Sequence, residues 1–163
     1  MKPIIVGLAA LMLTSCMEAQ APHKVPDTAG TEFNIETLAD GLGVPWSIAV
    51  LPDGTYLFTE QAGILSRIKP EGVEQISGLP EDIYAEGQGG LLGVVIGPDF
   101  ESTGEIFLSY SQGTKKDNAT AVYRAKFSGT TLENGSTIFR ASPGKDTGSH
   151  FCLLYTSPSP RDA

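Results

Sequence analysis

Two residues stand in settings that suit chemistry. Gln88 lies within Gly87-Gln88-Gly89-Gly90, a run that lets the backbone pass close to another group while holding one amide side chain in the middle. A glutamine side chain both donates and accepts hydrogen bonds, which suits a sugar hydroxyl. The structural alternative is a tight crossover between two sheet units with Gln88 facing solvent. His150 lies in Thr147-Gly148-Ser149-His150-Phe151, directly before a change in sequence character. Its imidazole can accept a proton near neutral pH, and its purpose depends on the chain that precedes it. The only other histidine, His23, falls in a polar, Pro-containing stretch and reads as solvated.

Other polar residues read as structural. Asp53, Asp99 and the pair Asp117-Asn118 sit at turns, and none forms a cluster suited to calcium. Trp46, after Pro45, could stack on a sugar ring, but a single Trp opening an apolar strand reads as core. The sequence has two cysteines, Cys16 and Cys152, so the region between them has neither a disulfide framework nor a thiolate metal site. That region must fold by apolar burial.

The elements that would position Gln88 and His150 come from an internal repeat. "WSIAVLPDGTYLFTEQAGILSRI" and "LLGVVIGPDFESTGEIFLSYSQGTKKDNATAVYRAKF" each hold an apolar run ending in Pro-Asp, then a turn, a β-rich segment, a loop and a further strand bearing Arg67 or Arg124. Pro52-Asp53 and Pro98-Asp99 are 46 residues apart, a period that fits the four-stranded blade of a β-propeller. Leu57 and Thr59, and then Ile106, Leu108 and Tyr110, alternate with period two as in strands packed between layers. The runs 48–51 and 91–96 are expected to be buried inner strands. Nineteen Gly and 11 Pro agree with many turns and little helix. The expected class is all-β, a propeller of which the chain holds two to three blades; a β-sandwich is the rival architecture. Because a propeller closes its ring, the chain reads as a fragment.

The ordered motifs "PWSIAVLPDG", "EGQGGLLGVVIGPDF", "IFLSYS", "TAVYRA" and "GSHF" together resemble the glucose/sorbosone dehydrogenase family, over residues 38–151. Within it the likeness is to soluble aldose sugar dehydrogenases that use pyrroloquinoline quinone (PQQ). The resemblance implies a six-bladed propeller carrying PQQ and calcium in a basic pocket. It also implies oxidation of the anomeric hydroxyl of a sugar to a lactone, with hydride passing to the quinone. His150 matches the family's general base and Gln88 its glutamine beside the substrate. Ser149 stands where relatives often have Asn, Asp or Gly. The family's PQQ-anchoring cations and calcium ligands are expected in later blades, so none is assigned among these residues, and the chain alone is expected to be inactive. The rival functions are a non-catalytic surface propeller binding glycan or protein, and a calcium-dependent lactonase. The first has no need of a base; the second needs converging metal ligands that this sequence does not display.

The two ends read differently from the middle. The net charge of −8 and pI near 4.6 argue against nucleic acid as a partner. Residues 4–13 are mostly apolar but too short to span a hydrocarbon core of roughly 30 Å; they suit a secretory signal. Leu13-Thr14-Ser15-Cys16 resembles a bacterial lipobox, with Cys16 lipidated and residues 17–30 a tether. The expected setting is periplasmic, with the membrane reached only through the lipid. Residues 152–163 lack either structural period, and "CLLYTS" resembles one frame of a transposon-end adapter (TGT CTC TTA TAC ACA TCT), so this stretch reads as translated adapter. For the N-terminus the expected outcome is diacylglyceryl-modified Cys16, detected by mass spectrometry of the membrane fraction. A soluble product retaining residues 1–15 would overturn the assignment.

Overall fold

The computed structural model describes residues 34–151; the assignments of Cys16, the tether and residues 152–163 concern residues outside that range. Among the described residues the strands are β1 Pro45–Val50, β2 Tyr56–Glu60, β3 Ile64–Lys69 and β4 Gly72–Ile76, then β5 Leu91–Ile96, β6 Glu105–Thr114, β7 Asp117–Phe127 and β8 Leu132–Arg140. They form two four-stranded antiparallel sheets, ordered β1-β2-β3-β4 and β5-β6-β7-β8. Each is one blade of a β-propeller, and the repeat read from the two Pro-Asp pairs is the blade repeat. The described residues make up two blades, the lower end of the expected range.

Local chemistry explains why the repeat folds this way. In the first blade Gly54 adopts φ 82° and closes the turn between β1 and β2. Asp53 Oδ1 accepts hydrogen bonds from the Thr55 amide at 3.0 Å and the Thr55 hydroxyl at 2.6 Å. These bonds from Thr55 hold the Asp53 carboxyl below its usual range, with Arg67 on β3 assisting as ion-pair partner. In the second blade Arg124 on β7 pairs with Glu105 at the start of β6. The two arginines singled out by the repeat thus play the same part, each tying its strand to the beginning of the one before. Such partly exposed pairs contribute about 0–1 kcal/mol each, so they set register more than stability. The second Pro-Asp turn is more than a turn: it opens the single helical turn α1, Phe100–Thr103, which Gly104 closes at φ 67°.

Stability comes from the layer between the sheets. Leu57, Leu65 and Ile76 of the first blade pack in one cluster with Leu91, Val94, Ile106, Leu108, Tyr110 and Ala121 of the second. The cross-strand register places Ala49, Leu57 and Arg67 side by side on that face, and likewise Ser47, Thr59, Leu65 and Ile76. Polar groups stitch the layer together at one end: Thr59 Oγ1 donates to the Leu92 carbonyl, and the Val94 amide donates to Ser47 Oγ at 3.2 Å. Both inner strands break register near their starts, β1 between Pro45 and Ser47 and β5 between Leu91 and Val94. Such bulges bend a strand and re-aim its end.

Two expectations from the sequence do not hold. In the run 91–96, Leu91, Leu92 and Val94 are buried as expected while Val95 is not; in the run 48–51 only Leu51 is buried. Ile48 and Val50 are 57% and 58% exposed, because β1 covers only one of its faces with the second blade. Trp46, read as core, is 44% exposed for the same reason. On the far face of the second blade, Val95 and Phe139 are also more than half exposed. The register places Ile48 and Val50 on the same outer face as Val73, and Val122 on the same outer face as Phe139.

Each blade therefore leaves apolar side chains open on its outer face, at Ile48, Val50 and Val73 of the first, where Phe58 beside them is buried, and at Val95 and Phe139 of the second. A soluble protein rarely leaves such faces open. The piece 17–151 is expected to self-associate at micromolar concentration, as read by sedimentation velocity. A monomer that unfolds in denaturant with a single cooperative transition would show that two blades suffice.

Candidate active site

The crossover from the first blade to the second ends in the Gly87–Gly90 run, and the close approach expected there is made to the chain itself. Gly87 adopts φ 63°, and a β-carbon on it would lie 2.6 Å from the Gly148 carbonyl oxygen. On Gly90, at φ 145°, a β-carbon would lie 1.9 Å from the Gln61 carbonyl oxygen. Neither position tolerates a side chain. The run is tied down from both blades: Gln61 Nε2 donates to the Gly87 carbonyl at 2.9 Å, and the Gly90 amide donates to Ser111 Oγ at 2.6 Å. Ser111 Oγ in turn donates to the Tyr84 carbonyl at 2.6 Å, and both Ser111 and Tyr84 are buried.

This backbone brings together the two residues that the sequence singled out. The Gln88 backbone N–H donates to the Gly148 carbonyl at 2.7 Å, and the His150 backbone N–H donates to Gln88 Oε1 at 3.0 Å. Gln88 and His150 are 62 positions apart in sequence, yet they share one end of the two blades with Gln61. Both are exposed. With Oε1 occupied, Gln88 keeps its Nε2 donor; among the described residues no group hydrogen-bonds Nε2 or either imidazole nitrogen of His150. Ser149 directs its amide to Thr147 Oγ1 at 3.1 Å, which tightens the turn just before His150.

Beneath the exposed pair lies a small aromatic floor. Phe151 is 1% exposed and packs with Tyr84 and Leu92, the two rings 6.2 Å apart and tilted. Burial, and then neighbouring Glu86, pushes the Tyr84 hydroxyl above its usual pKa, so it stays neutral and donates to Glu86 at 3.3 Å. Lys145 lies against this floor, its Nζ 3.8 Å from the centre of the Phe151 ring. Burial pulls its pKa below the usual lysine value. Neither Lys145 nor Gln61 was legible as part of a site. Gln61 acts from the end of a strand in the other blade, and Lys145 is a single lysine in a turn with no pattern around it.

PQQ is a polyanion and would need free cations around it. Lys145, which holds the turn at His150, is spent on backbone carbonyls, and Arg67, Lys69, Arg124 and Arg140 are each paired with a carboxylate; Lys115, Lys116 and Lys126 form no ion pair among the described residues. No group of three or more His, Cys, Asp or Glu side chains able to hold a metal occurs among the described residues.

The sequence matches the family described as Glucose / Sorbosone dehydrogenase over residues 42–157. That match overlaps the first residues of the stretch read as adapter. The chain is 40% identical over 129 residues to the aldose sugar dehydrogenase YliI of Escherichia coli strain K12, covering 76% of this chain and 34% of that protein. It is 37% identical over 130 residues to the uncharacterized protein slr1608 of Synechocystis, covering 74% of this chain and 31% of the other. The chain thus spans about a third of the length of the curated relatives it matches. Among solved structures, it resembles the soluble aldose sugar dehydrogenase of E. coli in its apo form at 40% identity and a TM-score of 0.68, over 72% of this chain and 35% of that one. It also resembles the PQQ-bound form of an aldose sugar dehydrogenase from Streptomyces coelicolor, at 27% identity and a TM-score of 0.55 over 68% of this chain and 36% of that one. With the two-blade fold and the motif order already in place, the chain belongs to the glucose/sorbosone dehydrogenase family.

Proposed function

We propose that the protein carrying this chain is a PQQ-dependent aldose sugar dehydrogenase, and that these two blades supply its general base and one of its substrate contacts. The observation that carries this reading is the hydrogen bond from the His150 backbone N–H to Gln88 Oε1 at 3.0 Å, which brings two exposed residues, one with an imidazole and one with a side-chain amide, together at one end of the blades. An aldose offers a matching pair of groups: an anomeric hydroxyl to give up a proton and a second oxygen to accept a hydrogen bond. His150 removes the hydroxyl proton as general base. Gln88 Nε2 donates to a neighbouring sugar oxygen and orients the ring. The proton leaves the hydroxyl oxygen for His150 and the hydride leaves the anomeric carbon, for which PQQ would supply the two-electron acceptor when bound; the C–O bond becomes the carbonyl of a lactone.

The groups that would hold PQQ and calcium lie outside the described residues, and so does the electron acceptor beyond them. We place the protein in the periplasm as a lipid-anchored lipoprotein on the strength of residues 1–16 alone. The non-catalytic propeller is the weaker reading, because an imidazole presented free of any described partner has no work in a binding surface that Gln88 could serve alone.

The chain by itself is expected to show no PQQ-dependent oxidation of glucose or other aldoses, even with calcium added. In the full-length protein, His150→Ala should lower turnover by about 10²–10⁴-fold, the usual contribution of a positioned general base. Gln88→Ala should weaken sugar binding by about 1–3 kcal/mol, through an unpaired sugar hydroxyl. Steady-state dye reduction with saturating PQQ across a sugar panel measures all three. Full turnover in the His150 variant would move the non-catalytic reading to the front.

A further inference from the structure

His150 sits at φ 65°, in the left-handed region that a β-carbon disfavours. A residue in that conformation relaxes to an ordinary one unless its surroundings over-determine it. Its imidazole makes no hydrogen bond with a described residue, so the restraint must act on the backbone. Gln88 Oε1 holds the amide at 3.0 Å, and Lys145 Nζ holds the carbonyl at 2.7 Å. The same ammonium also donates to the Ser149 carbonyl and lies over the Phe151 ring. One charged group therefore engages three consecutive residues centred on His150.

The other end of Lys145 is fixed as well. Its amide donates to the Asn118 carbonyl at 2.9 Å, and the Asn118 amide donates back to the Lys145 carbonyl at 2.8 Å. Asn118 belongs to β7 and is fully buried. The ammonium is thus referenced to the rigid second blade rather than to the turn it restrains. Two carbonyl oxygens and an aromatic face replace the water that a partly buried ammonium loses.

We propose that Lys145 is a positioning residue for His150: by clamping the carbonyls of Ser149 and His150 against the second blade, it fixes the direction in which the imidazole leaves the backbone, without touching the sugar itself. The proposal rests on His150 being the base. It gives Lys145 an orienting role, which predicts an effect on turnover and little effect on substrate affinity.

The experiment uses the full-length protein with three substitutions. Lys145→Met keeps an apolar chain of similar length and removes the donors, Lys145→Gln keeps an uncharged, shorter amide donor, and Lys145→Arg keeps the charge and several donors. Lys145→Met is expected to lower kcat by about 10–100-fold, as small misplacements of a reacting group do, while KM for the aldose stays within about twofold. Lys145→Arg should recover most of the lost turnover, with Lys145→Gln between the two. A second readout is independent of catalysis: amide hydrogen exchange at His150 and Phe151 should speed up in Lys145→Met and return towards the starting rate in Lys145→Arg. Unchanged kcat in the Met and Gln variants overturns the proposal, even if the melting temperature drops, since that would make Lys145 merely structural. Loss of PQQ affinity in a fluorescence titration, with kcat preserved at saturation, overturns it in favour of a cofactor contact. If the Met variant does not fold, the Gln and Arg variants carry the same comparison. Failure of the underlying reading is separately visible, because His150→Ala would then keep full turnover whatever Lys145 does.

Discussion

The backbone of Gly87 lies so near the carbonyl of Gly148 that no β-carbon fits between them, and the site depends on that contact. It brings the crossover between the blades against the turn that follows the second blade, two segments otherwise joined only through the sheets. Once they touch, the Gln88 amide finds the Gly148 carbonyl, and Gln88 Oε1 finds the amide of His150. A side chain at Gly87 would push the turn away and separate the two residues by more than a hydrogen-bond length. The steric constraint comes first, and the polar geometry follows from it.

The contact in turn needs a stiff support, which the two blades provide in different ways. Between the sheets, fully buried Leu57, Leu65, Leu108 and Tyr110 fix the blades against each other. Each such side chain removed from water is worth about 1.5–3 kcal/mol, far more than any one of the surface ion pairs. At the end of the sheets that carries the site, polar stitches take over: Thr59 to Leu92, Ser111 to both Gly90 and Tyr84, Gln61 to Gly87. Apolar burial supplies the stability, and hydrogen bonds that need defined directions supply the placement.

The sequence was legible where periodicity or steric demand left a mark. The 46-residue spacing of the Pro-Asp pairs announced two equivalent sheets, and Ile106, Leu108 and Tyr110 are all fully buried as their alternation requires. The glycine run announced a close approach, although it did not say that the partner was Gly148 rather than a ligand. Trp46 and Ile48 misled because apolar residues on an inner strand look alike whether or not a further layer covers them. Lys145 left no mark at all. Its role depends on a left-handed residue five positions later and on Asn118 in another strand, and neither relation has a signature in the local sequence.

Holding His150 in place costs the fold free energy. A non-glycine residue held in the left-handed region carries about 1–3 kcal/mol of strain, and the Gln88 and Lys145 hydrogen bonds offset it, the charged one contributing about 1.5–3 kcal/mol. The two magnitudes nearly cancel, so the arrangement gives the fold little net stability. Glycine at position 150 would adopt the same backbone without strain. A glycan-binding surface that needed only the turn would do as well with it. What glycine cannot supply is an exposed imidazole on a clamped backbone beside Gln88. A strained, well-held histidine whose ring hydrogen-bonds no described residue is an arrangement whose use lies in its side chain, which is what the proposed role as base on a sugar hydroxyl requires.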